Sequence, residues 1–120
     1  MLKEVEGMEI KLNIPGLDDF TVILKKGMYP EQRLALRLID KEDFAPFATI
    51  TVNVPHKSHQ LQPGEFFIKT WGENEQVINA LREKTEIFVD TGRRVDVSDL
   101  ATAEIWRFAD GVNVDDIQAL

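Results

Sequence analysis

His56 and His59, the only two histidines of the chain, are the first residues whose types and spacing could serve chemistry. Imidazole binds zinc, but a zinc site takes three or four protein ligands, and the chain has no cysteine to complete one. Ser58 lies between the histidines without the glycine-flanked turn that exposes a serine nucleophile. This segment therefore predicts an exposed loop, and we expect no metal, no cofactor and no catalytic serine there.

Two carboxylates and two arginines are the next candidates. Glu73 and Glu75 are two residues apart in a predicted helix, so their side chains point to different sides and do not make a catalytic pair. Arg93 and Arg94 lie in a predicted turn, where they could bind a phosphate group. Neither a G-x-G-x-x-G motif nor a P-loop occurs in the chain. We therefore predict that the protein is not an enzyme, and we keep Arg93 and Arg94 as candidate anion-binding residues.

Trp71 stands two residues before this acidic segment. A tryptophan usually packs in the core with its N–H bonded, which is one interpretation of both Trp71 and Trp106. A partly exposed tryptophan beside carboxylates would instead be the anchor of a protein interface. On that second interpretation, the candidate partner-binding residues are Trp71, Glu73, Asn74 and Glu75.

The acidic charge of the chain is concentrated in its second half. The net charge is -7: residues 1–60 contribute -1 (8 basic against 9 acidic residues) and residues 61–120 contribute -6 (6 against 12). Because an acidic surface repels a phosphate backbone, direct nucleic-acid binding is disfavoured. The charge either keeps the protein soluble or forms a docking surface for a basic partner, and the sequence leaves both open.

Length and hydropathy predict one domain over residues 1–120. A chain of this size buries roughly two-thirds of the surface that it exposes when unfolded. No apolar stretch reaches the roughly 20 residues of a membrane helix, and the N-terminus is too acidic for a signal peptide. We therefore expect a cytoplasmic protein without membrane contact. Residues 110–120 are predicted to form either a flexible tail or a short helix, and the oligomeric state is left open.

These candidates must be positioned by strands, which are predicted wherever apolar and polar residues alternate. Residues 8–25 alternate on both sides of a turn segment at 15–19 and predict a hairpin. Residues 33–40 alternate as well, and we prefer a strand to the helix that their leucines also permit. Residues 48–54 are the clearest strand of the chain, whereas 28–30 are expected to be a link.

A single helix is predicted over residues 73–84, with acidic residues in its first turn and basic residues in its last. Gly72 and Asn74 are the alternative N-caps, and a serine would cap better than Gly72. The apolar stripe that should pack on the sheet consists of Val77, Ile78 and Leu81.

The segments around the helix complete the predicted fold. The polar loop at residues 55–64 is long for a hairpin connection and is expected to be functional or mobile. Residues 66–68 form a short strand, and residues 87–97 predict a hairpin that turns at 90–93. Residues 103–108 are apolar on both faces and should be either a central strand or one beneath the helix. The predicted class is α+β: a curved, mainly antiparallel β-sheet of six to eight strands with one α-helix packed on it.

Four segments, MYPEQRLALRLID, PFATITVNVP, LQPGEFFIKTWGENE and DTGRRV, follow one another in that order. Together they resemble a family of uncharacterised small proteins carried by bacterial phages, plasmids and conjugative elements. The resemblance covers about residues 28–97 and is strongest from Gly64 to Glu75. Family members often carry serine in place of Gly72, which would form a capping box with Glu75. The family has no assigned catalytic residue, so the resemblance implies only an accessory role in a mobile genetic element.

Two functions remain in view from the sequence. The first is a non-enzymatic interaction protein of a mobile genetic element that binds a host or defence-system protein, or one encoded by the element, through an acidic surface. The second is a small-molecule or nucleotide-binding protein that sequesters its ligand, using the 55–64 loop with Arg93 and Arg94. An arginine-lined pocket would favour the second function, and an acidic face with an exposed tryptophan would favour the first.

Overall fold

A computed structural model describes residues 8–30 and 33–119. Within these ranges the chain forms eight strands and one α-helix, and short 3₁₀ turns connect some of them. In chain order the elements are β1 (Met8–Leu12), β2 (Phe20–Tyr29), β3 (Arg33–Asp40), β4 (Pro46–Thr49), β5 (Glu65–Ile68), α1 (Glu75–Arg82), β6 (Phe88–Ser98), β7 (Ala101–Phe108) and β8 (Gln118–Ala119).

The strands form two sheets that are joined along the chain. The first has the order β1-β2-β3-β4, with β8 added parallel to β2, and the second has the order β5-β7-β6. All other pairs are antiparallel. After β4, Thr51 forms a bridge to Ile68 of β5, and the amide of Lys69 donates to the carbonyl of Ile50 at 2.9 Å. The predicted α+β class, a mainly antiparallel sheet with one main helix, is confirmed.

Alternating side chains place one face of the first sheet in the core. Ile10 pairs with Val22 and Leu24 pairs with Leu38, so apolar residues from successive strands share a face. A second core cluster lies against the other sheet around Phe67. The predicted central strand is confirmed, because β7 lies between β5 and β6. The main core cluster also contains Phe66, Phe88, Trp106 and Phe108, whose rings pack together.

The helix is shorter than predicted and starts differently. A 3₁₀ turn, Gly72–Asn74, precedes α1, which ends at Arg82. Gly72 has φ 66°, in the left-handed region that glycine adopts without steric cost. The expectation that serine would do better at this position is therefore wrong, because a side chain there would be strained. The apolar stripe behaves as predicted, and its members Val77, Ile78 and Leu81 are buried in the main core cluster.

The predicted hairpin at residues 87–97 is wrong. The whole segment is one strand, β6, and both of its halves pair with β7. The turn residues Asp90 to Arg94 instead form an irregularity in the register, where Gly92 has φ 87°. A glycine at positive φ fits both a turn and a β-bulge, so the local signal did not distinguish them.

Three smaller boundaries also differ from expectation. Residues 28 and 29, predicted as a link, belong to β2, and Met28 pairs with Leu34. Of the strand predicted over residues 48–54, only residues 48 and 49 lie in a strand, β4. The chain leaves β3 after Ile50 and continues beside β5. At the C-terminus, Asn113 caps a 3₁₀ turn, and β8, which the sequence did not predict, follows it and pairs with β2.

Candidate functional site

The four predicted partner-binding residues do not form one surface. Trp71 is half-buried and packs against the second core cluster. Asn74 is only 2% exposed, and its amide donates to the carbonyls of Thr49 at 2.8 Å and Lys69 at 3.1 Å. These bonds tie the start of the helix to the end of β4. Asn74 therefore holds the fold together and is not part of an exposed contact surface.

Glu73 and Glu75 are both exposed but line different grooves. Glu73 forms an ion pair with Lys69 at 3.1 Å. A hydrogen bond from its own backbone N–H, and then Lys69, lower the pKa of Glu73. Glu75 makes no ion pair with any residue that the structure describes, and it lines a groove on the other side of the helix. Of the predicted set, Glu75 alone therefore presents an unneutralised charge to an open groove.

The two candidate anion-binding arginines are occupied by carboxylates. Arg93 forms an ion pair with Glu65, whose side chain is 5% exposed, and donates to the carbonyl of Gln60 at 2.9 Å. Burial alone would raise the pKa of Glu65, but hydrogen bonds from Gln62 and Arg93 outweigh it and the pKa is lowered. Arg94 donates to both carboxylate oxygens of Asp90, each at 3.1 Å. An incoming anion would have to displace these partners.

A charged cluster that the sequence did not reveal joins the helix to β6 and β7. Arg82 donates to both oxygens of Glu104, at 2.8 and 3.1 Å, and to Asp90 at 2.9 Å. The indole N–H of Trp106 also donates to Glu104, at 2.9 Å, and the Arg82 guanidinium lies 5.6 Å from the centre of the same ring. Partners distant in sequence build this cluster, so no local motif could have predicted it.

The pKa values in this cluster argue against a general acid. Burial would raise the pKa of Glu104, but hydrogen bonds from Arg82 and Trp106 lower it below its ordinary value. The pKa of Asp90 is also lowered, because bonds from Arg94 and Gly92 outweigh its burial. A general acid that works near neutral pH needs a raised carboxyl pKa. Both carboxylates stay ionised and bound to arginine, which suits a structural role.

The histidine segment forms a 3₁₀ helix, Pro55–Gln60, in which His56 and His59 are exposed. No group of three or more metal-ligating side chains converges in the part of the chain that the structure describes. None of the described helices is long and apolar enough to cross a membrane.

The groove beside α1 is an acidic concavity. It has a volume of about 520 Å³ and runs between the helix and the loop that follows β1. Its lining contains two carboxylates, three amides and no lysine or arginine. Glu75 begins the helix and Glu83 directly follows its last residue, so the two charges lie about two turns apart along the helix axis. The lining residues are Asn13, Pro15, Glu75, Gln76, Asn79, Ala80 and Glu83.

Two neighbouring loops extend this acidic groove at the same end of the first sheet. Residues 13–19 lead into β2, and residues 41–45 follow β3, whose last residue pairs near the start of β2. The amide of Lys41 donates to the carbonyl of Thr21 at 3.1 Å, which holds the two loops side by side. We call the groove and these two loops the acidic end. Its exposed loop carboxylates are Asp18, Asp19, Glu42 and Asp43.

The acidic end also carries apolar side chains that the fold does not bury. Leu17 is 58% exposed and Phe44 is 68% exposed. The only lysine of the two loops, Lys41, forms an ion pair with Glu9 at 3.0 Å. Leu17 and Phe44 therefore leave apolar surface in water at an end that is otherwise rich in carboxylates.

A second groove lies on the other side of α1, next to β4. Its volume is about 670 Å³, and Arg37 and Lys69 supply its positive charge. Tyr29, which also lines it, places its hydroxyl 3.1 Å from the hydroxyl of the buried Thr51. This arginine-lined groove is the feature that a small anionic ligand would require, although Arg93 and Arg94 do not line it.

Comparison of the chain with protein-family models, with curated proteins and with solved structures finds no match.

Proposed function

We propose that this chain is a non-enzymatic binding protein that takes a basic protein partner at its acidic end. The observation that carries this proposal is the groove beside α1, which Glu75 and Glu83 line without any cation. Neither carboxylate forms an ion pair with a residue that the structure describes, so both remain available to a partner. Uncompensated charge of this kind speeds the encounter with an oppositely charged surface.

The apolar side chains of the acidic end supply binding affinity that charge alone does not. Ion pairs at the rim of an interface contribute little net affinity, because both partners are well solvated before they meet. Affinity comes mainly from apolar or aromatic groups that leave water on binding. Leu17 and Phe44 are such groups, and both lie beside carboxylates. Trp71, the anchor expected from the sequence, packs partly on the core instead.

The resemblance to small proteins of phages, plasmids and conjugative elements supports the choice of partner. Accessory proteins of such elements act on proteins of the bacterial host. We therefore infer that the partner is a basic cytoplasmic protein of the host or of its defence systems.

The test is a double charge reversal with a matched control. Glu75→Lys with Glu83→Lys reverses the groove and changes the net charge by four. Asp99→Lys with Asp116→Lys makes the same change at exposed carboxylates that line neither groove. Proteins captured from a host lysate by the wild type are identified, purified and measured for association rate with each variant. We expect the groove variant to associate at least about tenfold more slowly, and the control to change far less.

Equal losses in the two variants would mean that only net charge matters, and no loss in either would remove the groove from the function. Both results would contradict the proposal.

A second candidate function is favoured by the groove beside β4. A volume of about 670 Å³ lies in the range of small-molecule sites. Arg37 also stands directly opposite Lys25 on the neighbouring strand, and like charges in that position destabilise a sheet. A bound anion, such as the phosphate of a nucleotide, would relieve this repulsion.

Titration with ADP, followed by calorimetry, tests this candidate. Binding that Arg37→Gln abolishes and Arg107→Gln preserves would support it, because Arg107 pairs with the exposed Asp110 and lines neither groove. Absence of heat from wild-type protein at millimolar ADP would exclude nucleotide binding.

A further inference from the structure

Phe44 has a backbone conformation that its side chain does not favour. Its φ is 58°, and it is the only non-glycine residue with positive φ among the residues described. A bulky side chain in the left-handed region is a genuine outlier, because its Cβ crowds the backbone. Glycine or asparagine would adopt the same conformation more easily.

The turn that holds Phe44 does not use its ring. The amide of Phe44 donates to the carbonyl of Asp40 at 2.8 Å, and the amide of Asp40 donates to the carbonyl of Ala45 at 2.9 Å. Carboxylate oxygens of Asp40 and Asp43 accept from the amides of Glu42 and Ala45, at 2.8 and 2.9 Å. The backbone and the two aspartates therefore fix the turn, and any residue that tolerates positive φ would fit at position 44.

The core does not use the ring either. Phe44 is 68% exposed and belongs to neither core cluster. Phe47, three residues later, differs: its ring lies 4.9 Å from that of Phe20 and packs on the core. Folding gives no reason for an aromatic residue at position 44, whereas binding does, because strained and exposed groups on rigid turns are common in recognition.

We propose that Phe44 is the apolar anchor of the partner contact, and that its ring enters an apolar pocket whose rim carries lysine or arginine. This inference rests on the proposed function and names the partner's chemistry more closely. Glu42 and Asp43 directly precede Phe44 in the turn, and Asp18 and Asp19 lie on the adjacent loop, so cations around the pocket would meet four carboxylates. A turn already fixed by hydrogen bonds loses little entropy when it docks, which favours affinity.

The variant Phe44→Asn tests whether Phe44 serves binding or the stability of the fold. Asparagine suits the left-handed conformation, so we expect the variant to melt at the same temperature as the wild type or higher. Binding should nevertheless weaken at least about tenfold, because the aromatic group is lost. Leu100→Asn is the control: Leu100 is 95% exposed at an ordinary φ in the turn between β6 and β7, and its replacement should change neither property.

A photoreactive phenylalanine analogue at position 44 identifies the contacted surface. The full chain carrying p-benzoylphenylalanine in place of Phe44 is irradiated in host lysate, and the crosslinked peptide is mapped by mass spectrometry. We expect an adduct in an apolar segment bordered by lysine or arginine, and none when the analogue replaces Leu100.

Any other crosslinking result overturns the inference. Equal adducts at both positions would show nonspecific labelling, and an adduct to a polar or acidic segment, or to a second copy of this chain, would contradict the stated chemistry. No adduct would mean that position 44 is not in the contact. Loss of binding in the Glu75→Lys, Glu83→Lys variant but not in Phe44→Asn would leave the proposed function standing and overturn the anchor. Loss in Phe44→Asn alone would leave the anchor standing and contradict the proposed function at the groove that carries it.

Discussion

At the scale of the residue, Glu104 shows how this protein uses a half-buried charge. Its carboxylate accepts from Arg82 and from the indole of Trp106, so the charge is neutralised within the fold. Glu75 and Glu83 have the same side chain but no cation near them among the residues that line their groove. The neighbours of a carboxylate thus set its role: Glu104 stabilises the fold, whereas Glu75 and Glu83 are available to a partner.

Acid should destabilise the protein partly through Glu104. The pKa of Glu104 is lower in the folded protein than in the unfolded chain, where the ordinary glutamate pKa is about 4.3. The stabilisation that ionised Glu104 provides is therefore complete above that ordinary pKa, and it is lost as the pH falls through the folded-state pKa. We expect Glu104→Gln to lose about 1–3 kcal/mol of unfolding free energy at pH 7. Urea unfolding at pH 7, 5, 4 and 3 measures both effects.

The difference between wild type and Glu104→Gln should shrink towards pH 3. Glu86→Gln is the control, because Glu86 is exposed and forms no ion pair with the described residues. A constant difference at all four pH values would show that the charge of Glu104 is not responsible.

At the scale of the element, α1 depends on its packing. Eight residues are too few for an isolated helix to be stable in water. The buried stripe holds the helix against the core, and the bonds from Asn74 fix its start. With its inner face anchored, the helix presents Glu75, Gln76, Asn79 and Glu83 to the groove.

Leu81→Ala tests this dependence on packing. Leu81 is fully buried, so we expect a loss of about 2–5 kcal/mol of unfolding free energy, measured by chemical denaturation. Gln76→Ala on the exposed face should change stability by less than about 0.5 kcal/mol. An unchanged midpoint for Leu81→Ala would mean that the helix is peripheral to the cooperative core.

At the scale of the whole molecule, charges that are paired within the fold and charges that are not lie in different places. Arg82, Arg93, Arg94 and Arg107 all pair with carboxylates, whereas the acidic end keeps most of its carboxylates free of any described cation. The charge that a partner meets at the acidic end is therefore mainly negative. In the kinetic comparison above, the wild-type association rate should fall as salt is raised, and the dissociation rate should change less.

The sequence by itself determined the class of the fold and most of its elements. Period-two alternation identified β1 and β3, and the stripe of Val77, Ile78 and Leu81 identified the buried face of α1, because burial of one face leaves its period in the chain. The sequence placed the excess of negative charge in residues 61–120, whereas four of the six exposed carboxylates of the acidic end come from residues 1–60.

Only the tertiary structure decided which polar residues remain available. Asn74 and Arg93 are polar residues of types that usually lie at the surface. In the folded chain Asn74 donates a hydrogen bond to the carbonyl of Thr49, and Arg93 donates one to Glu65, which is 28 residues away. The same holds for β6, whose central glycine predicts a turn until β7 is present to pair with both sides of it. Pairing between distant segments leaves no period and no local motif, so the exposure of Phe44 and the free charge of Glu75 and Glu83 emerge only once the chain is folded.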